Sequence, residues 1–149
     1  MRKTIDILLS AVALWALASC STTSNLPDDD MLYTGMKKTQ YVVADSDANF
    51  DNVKDEVEAA LACKPNGSLL GSPYYRSPLQ IKLAVFNKYA NADSKFGRWM
   101  RDKFGSAPVL LSYVAPETRA LVAKNLLRAN GYFDAQVAYG IIPQKNPKK

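Results

Sequence analysis

An apolar run too short to span a bilayer, closed by a cysteine, constrains this chain more than any other feature. Arg2 and Lys3 precede it, Ile7 to Ala18 are apolar except for Ser10, and Leu17-Ala18-Ser19-Cys20 end it. The run is about 12 residues, whereas a spanning helix needs about 20. A basic start, an apolar middle and small residues before a cut are the order of an export leader. Residues 1–19 are therefore expected to be removed, so the fold must be built from residues 20–149. A membrane-spanning anchor and an ordinary secretory leader with an incidental cysteine are the competing readings.

The closing residues resemble the bacterial lipobox: a leucine, two small residues and a cysteine. Attachment of a lipid through a thioether needs a thiol, and Ala18 and Ser19 are small enough for the peptidase that cuts before Cys20. Cys20 is thus the expected lipid-attachment residue. Each buried methylene would contribute about 0.8 kcal/mol, so several acyl chains make a stable anchor. The expected organisation is a signal over 1–19, a flexible tether over 20–31, rich in Ser, Thr and Asp, and one domain over 32–149.

Charge is unevenly spread. Residues 20–75 hold 4 basic and 9 acidic side chains, and residues 76–149 hold 13 basic and 4 acidic. A basic half suits nucleic acid, anionic lipid or an acidic protein surface. An exported chain argues against nucleic acid, and a solvated face accounts for much of the charge. Histidine is absent, and only Cys63 remains once Cys20 is lipidated. No zinc set, Cys-His pair or Ser-His-Asp triad can be assembled from such an inventory. Gly67 and Gly71 do not open a phosphate loop. No enzyme activity, cofactor or metal is expected; Asp55, Glu56 and Glu58 read as the wet face of a helix, and Cys63 as a small buried hydrophobe.

Hydrophobic spacing divides the rest. Residues 36–44, with Tyr41, Val42 and Val43, read as a first strand. Phe50, Val53, Val57, Ala60 and Leu61 predict a helix over 50–63. Lys64-Pro65-Asn66-Gly67 stops it, and 64–78 form a loop containing Tyr74, Tyr75 and Arg76. Leu79, Leu83, Phe86 and Tyr89 predict a helix over 79–90. Another, over 94–104, carries Phe96, Trp99, Met100 and Phe104, with Lys95, Arg98, Arg101 and Lys103 on its other side. Such a helix could touch a membrane surface, but its apolar stripe is expected to pack on the domain's own core. Pro108 to Val114 read as an extended run. Residues 116–130 predict a helix started by Pro116 and stopped by Asn130-Gly131. Ala135, Val137, Tyr139 and Ile141 alternate with polar or small residues, which predicts a strand over 134–142.

Residues 131–137, Gly-Tyr-Phe-Asp-Ala-Gln-Val, resemble the helix-to-strand junction of a POTRA domain, whose usual pattern is Gly-Tyr-x-x-Ala-x-Val. Gly131 would take the left-handed turn, Tyr132 and Phe133 would plug the gap between helix and sheet, and Ala135 and Val137 would point inward. Residues 26–35, 64–76 and 104–109 are similar to the lipidated BamA/TamA-like proteins of Bacteroidetes, of the TamL type. The resemblance implies an α+β fold, a POTRA-like module of a small sheet packed on helices, elaborated with extra helices. Family members continue into further modules and a membrane barrel. Because this chain stops at Lys149, the module is expected to lack its last strand, as a fragment or a shortened reading frame.

The resemblance also implies a function: a lipid-anchored, non-catalytic module of outer-membrane assembly, holding an unfolded client or a partner protein, partly by strand addition. Tyr74, Tyr75, Arg76, Ala135, Val137 and Tyr139 are the expected partner-binding residues, with Gly131 and Tyr132 as the structural junction. Acids begin only at Asp28, after Ser21-Thr22-Thr23-Ser24, so the expected location is the periplasmic face of the outer membrane. A small envelope lipoprotein binding a ligand or polymer through Tyr74, Tyr75 and Trp99 is the alternative. An envelope hydrolase is the weakest reading.

Overall fold

Among the described residues, two helix pairs are joined by hydrogen-bonded loops. The structure, a computed structural model, describes residues 23, 25–42 and 48–144. The leader, Cys20, residues 43–44 of the expected first strand and the basic end 145–149 lie outside the described residues. The helices are α1 (Ala48–Leu61), α2 (Ile81–Lys88), α3 (Lys95–Phe104), the single turn α4 (Leu111–Val114) and α5 (Pro116–Ala129).

The first pair is α1 with α5. Val53 and Val57, one turn apart on α1, meet Ala123 and Leu127 on α5, and all four are buried. Burying a valine or leucine side chain contributes about 1.5–3 kcal/mol, so this small cluster is a large share of the core. Arg119 ties the two helices at one end. Its Nη1 donates to the carbonyls of Ala60 (3.1 Å) and Ala62 (2.9 Å), and its Nε donates to Val114 (2.7 Å). A cation at the C-terminal end of α1 also suits the helix dipole.

The second pair is α2 with α3. Leu83, Ala84 and Asn87 on α2 are buried. Ser94 caps α3 by accepting from the Gly97 N–H (3.0 Å). Gly97 is the buried residue of α3, and a Cβ there would come within 2.4 Å of the Ala92 Cβ. Glycine therefore permits the close approach that seats α3. Asn66, 5% exposed, links the halves. Its amide nitrogen donates to Ala107 O (2.8 Å) and Ser106 Oγ (3.3 Å), and its oxygen accepts from the Val109 N–H (2.6 Å).

Several expectations are corrected. The α+β, POTRA-like sheet is absent among the described residues, where helices dominate and the only β pairings are isolated bridges, Leu32 with Leu110 and Ser68 with Arg76. Residues 36–42 and 134–142 carry strand-like patterns, yet no ladder joins them to a neighbour. Alternation selects which face meets a core; it does not supply a hydrogen-bonding partner. The run 108–114 is extended only to Leu110 and then turns into α4. The aromatic stripe of α3 is not packed on the core: Phe96, Trp99 and Phe104 are 61, 48 and 51% exposed. The cause is the orientation of α3, which presents Gly97 to its neighbour. The helices over 50–63, 79–90, 94–104 and 116–130 are found at slightly shifted ends, Cys63 lies past the end of α1 and is half-buried, and Asp55 and Glu56 are exposed.

Candidate functional site

The Asn130-Gly131 stop forms as its chemistry demands. The Tyr132 N–H donates to Leu127 O (2.9 Å) and the Gly131 N–H to Arg128 O (3.1 Å). These are the two bonds of a Schellman motif, and they require the left-handed residue supplied by Gly131 at φ +95°. The turn throws the chain back over the α1/α5 core. Tyr132, Ala135 and Val137 then pack against that core, and Tyr41 packs on it from residues 37–42, whereas Phe133, expected to plug the same gap, is 70% exposed. Phe50 sits between the rings of Tyr41 and Tyr132, with edge-on centroid distances of 5.7 and 5.8 Å.

Side chains of both extended segments are thus placed, but their backbones are not. Among the described residues, no N–H or C=O of 136–142 or 37–42 pairs with another backbone group. The Thr39 hydroxyl is shielded from solvent and has no hydrogen-bond partner among them. Such groups call for a partner, whether water or another chain.

Beside 137–141 runs a shallow groove. Its larger part, about 560 Å³, lies between Pro27–Met31, the α4–α5 junction, Tyr139 and Ile141. A smaller part, about 240 Å³, continues along Ala120, Leu121 and Lys124 to Val137, and the two share Glu117 and Tyr139. Asp30 holds one wall in place. Its carboxylate accepts from the Ser112 hydroxyl, from the Ser112 N–H (3.2 Å) and from the Met31 N–H (2.7 Å). The Ser112 hydroxyl and these amides hold the Asp30 carboxyl below its usual range despite some desolvation. An ionised carboxylate with its acceptors occupied is a fastening, not a proton donor. Asn25 likewise donates to Asn87 O (2.8 Å), so part of the expected tether lies on the folded body.

Of the six expected partner-binding residues, Val137 and Tyr139 line the groove and Ala135 sits in the core beneath its start. Tyr74, Tyr75 and Arg76 belong to another feature, the closed loop 67–77, held by Leu69 N–H to Tyr75 O (3.0 Å) and Ser77 N–H to Gly67 O (2.7 Å). Tyr75 is exposed, while Arg76 is half-buried, and desolvation lowers its pKa. Trp99 stacks with Phe96 and Phe104 at 5.9 and 5.3 Å, and no ring contact among the described residues joins it to Tyr74 or Tyr75. Sequence reasoning missed Asp30, Ser112 and Leu121 in the groove; Asp28-Asp29-Asp30 carries only the composition of a tether. Among the described residues, no cluster of three or more His, Cys, Asp or Glu could hold a metal ion, and no helix is long and apolar enough to cross a membrane.

No family model matches the chain, and no curated protein or solved structure is significantly similar to it.

Proposed function

We propose that this protein is a non-catalytic envelope module that holds a client or partner chain by backbone addition along residues 136–142. The observation that carries the reading is the segment itself. Val137 docks it on the α1/α5 core, Tyr139 and Ile141 border a groove while half exposed, and its peptide groups have no backbone partner among the described residues. An incoming extended chain would satisfy those groups with main-chain hydrogen bonds, while Tyr139, Ile141 and Leu121 would offer apolar contact. Lipidation at Cys20 would place the module on the periplasmic face of the outer membrane, and the client would be an unfolded outer-membrane polypeptide or an assembly partner. The leader, the lipobox and the similarity to lipidated BamA/TamA-like proteins support that setting.

Hydrogen exchange tests the reading. The amides of 136–142 should exchange quickly in the protein alone and slow when a urea-unfolded outer-membrane barrel polypeptide is added. Ala138→Pro removes one N–H at an exposed position and should abolish the slowing while leaving the α1/α5 amides protected. Protection of 136–142 without any client would mean the edge is already paired and would overturn the proposal.

A further inference from the structure

We propose that α3 is a second, independent membrane contact, laid on an anionic lipid surface through Trp99 and the basic residues around it. α3 buries Gly97, and Trp99 projects from the opposite side of the helix. Lys95 and Lys103, expected on the other side of the helix, lie one turn before and one turn after Trp99 instead, so the three form a single row on the helix surface. Phe96 and Phe104 flank that row in ring contact with Trp99, and Tyr89 extends the line at 6.4 Å from Phe96. Lys88 lies over the Tyr89 ring at 5.7 Å. Arg98 is exposed as well.

The single acid of the helix, Asp102, is held by Arg101 at 2.9 Å. Arg101 also donates to Ala90 O (3.3 Å), which keeps it against the α2–α3 turn. The face therefore offers aromatic rings with a cationic rim and no free acid of its own. Charge complementarity selects anionic headgroups as the occupant. Aromatic rings sit at the headgroup level, and lysines reach back to phosphate. Water is a poor neighbour for this many exposed rings in one row. The inference needs neither lipid on Cys20 nor a client at 136–142.

The sequence holds two tryptophans, Trp15 and Trp99. In the full chain with Trp15→Phe, Trp99 is the sole tryptophan and can be excited selectively over the tyrosines. Mixed with vesicles of phosphatidylglycerol and phosphatidylcholine, its emission should shift to the blue and be quenched by lipids brominated near the headgroup end of the acyl chains. Vesicles of phosphatidylcholine alone should give neither effect, and added salt should reverse both. Lys95→Glu with Lys103→Glu should lose most of the quenching. Glu at position 95 suits a helix N-terminus, so α3 should persist by circular dichroism. Phe96→Ser, at an exposed position, should weaken quenching without changing the fold. Equal quenching in neutral and anionic vesicles, or Trp99 open to acrylamide in both, overturns the proposal. So does shielding of Trp99 without vesicles that deepens with protein concentration, because a second copy would then cover the face.

Discussion

The two helix pairs solve the same problem with opposite use of their side chains. In α1/α5, two 14-residue helices bury modest residues, Val53, Val57, Ala123 and Leu127. In α2/α3, the helices have 8 and 10 residues, Leu83, Ala84 and Gly97 are buried, Gly97 sits against the turn at Tyr89, Ala92 and Ser94, and the rings of Phe96, Trp99 and Phe104 stay outside. Size and hydrophobicity thus do not decide burial. What decides it is which arc of a helix can come close to a neighbour. A glycine facing inward lets α3 approach closely, and the same seating turns Trp99 outward. The first pair holds the fold together, and the second displays a surface.

Core truncation is the strongest test of that contrast. Leu127→Ala should cost about 2–5 kcal/mol, as buried large-to-small changes do, read as a shift of the urea midpoint at constant slope. A cost below 1 kcal/mol would break the assignment of α1/α5 as the main core. Asn66→Ala should come next, at about 1–3 kcal/mol, because it removes the bonds that the buried Asn66 amide makes to the Val109 N–H and the Ala107 carbonyl. It should loosen the junction between the pairs, so amides near 106–109 should exchange faster than those of α1.

Alkaline pH should act on the first pair. Burial raises the Tyr33 and Tyr41 hydroxyls from 10.0 to about 12, with Cys63 and Glu58 charges adding respectively. Both are favoured neutral in the folded state, so this stability is whole below pH 10 and drains as pH rises from 10 through about 12. Tyr33→Phe with Tyr41→Phe should flatten that part of the pH–stability curve. Gly131→Ala should cost about 1 kcal/mol, from backbone strain at φ +95° alone, since open space surrounds the position. Smallest of all, Trp99→Ser should change stability by no more than about 0.5 kcal/mol, as exposed substitutions do. A loss comparable to Leu127→Ala would erase the distinction between the pairs.

Much of the helical order was legible. Val53 and Val57 recur at helical spacing, and Pro116 and Gly131 mark the start and stop of α5, but nothing local singled out Ala123, the most buried residue of α5. The junction residues Gly131 and Tyr132 were legible because a Schellman turn is local chemistry. Residues 134–142 were misread as a sheet strand. Ala135 and Val137 do lie on a core, but Tyr139 and Ile141 on the same face are half exposed, and pairing depends on a neighbour that no local pattern specifies. Asn66 was legible only as a turn residue. Its role as a buried clamp depends on residues 106–109, about 40 positions away. The groove escaped for the same reason, since Asp30 meets Ser112 across 82 positions.

By itself, the sequence determined closely where helices start and stop and that Val53 and Val57 share the inner face of α1. Those properties follow from backbone dihedrals, local hydrogen bonds and helical period, all short-ranged. Tertiary structure alone decided that 136–142 would find no backbone partner among the described residues, that Asp30 would wall a groove, and that the aromatic row of α3 would face solvent. Each of these depends on which distant surface arrives first at close contact, and Gly97 and Asn66 settle that by shape and by hydrogen bonds across the chain.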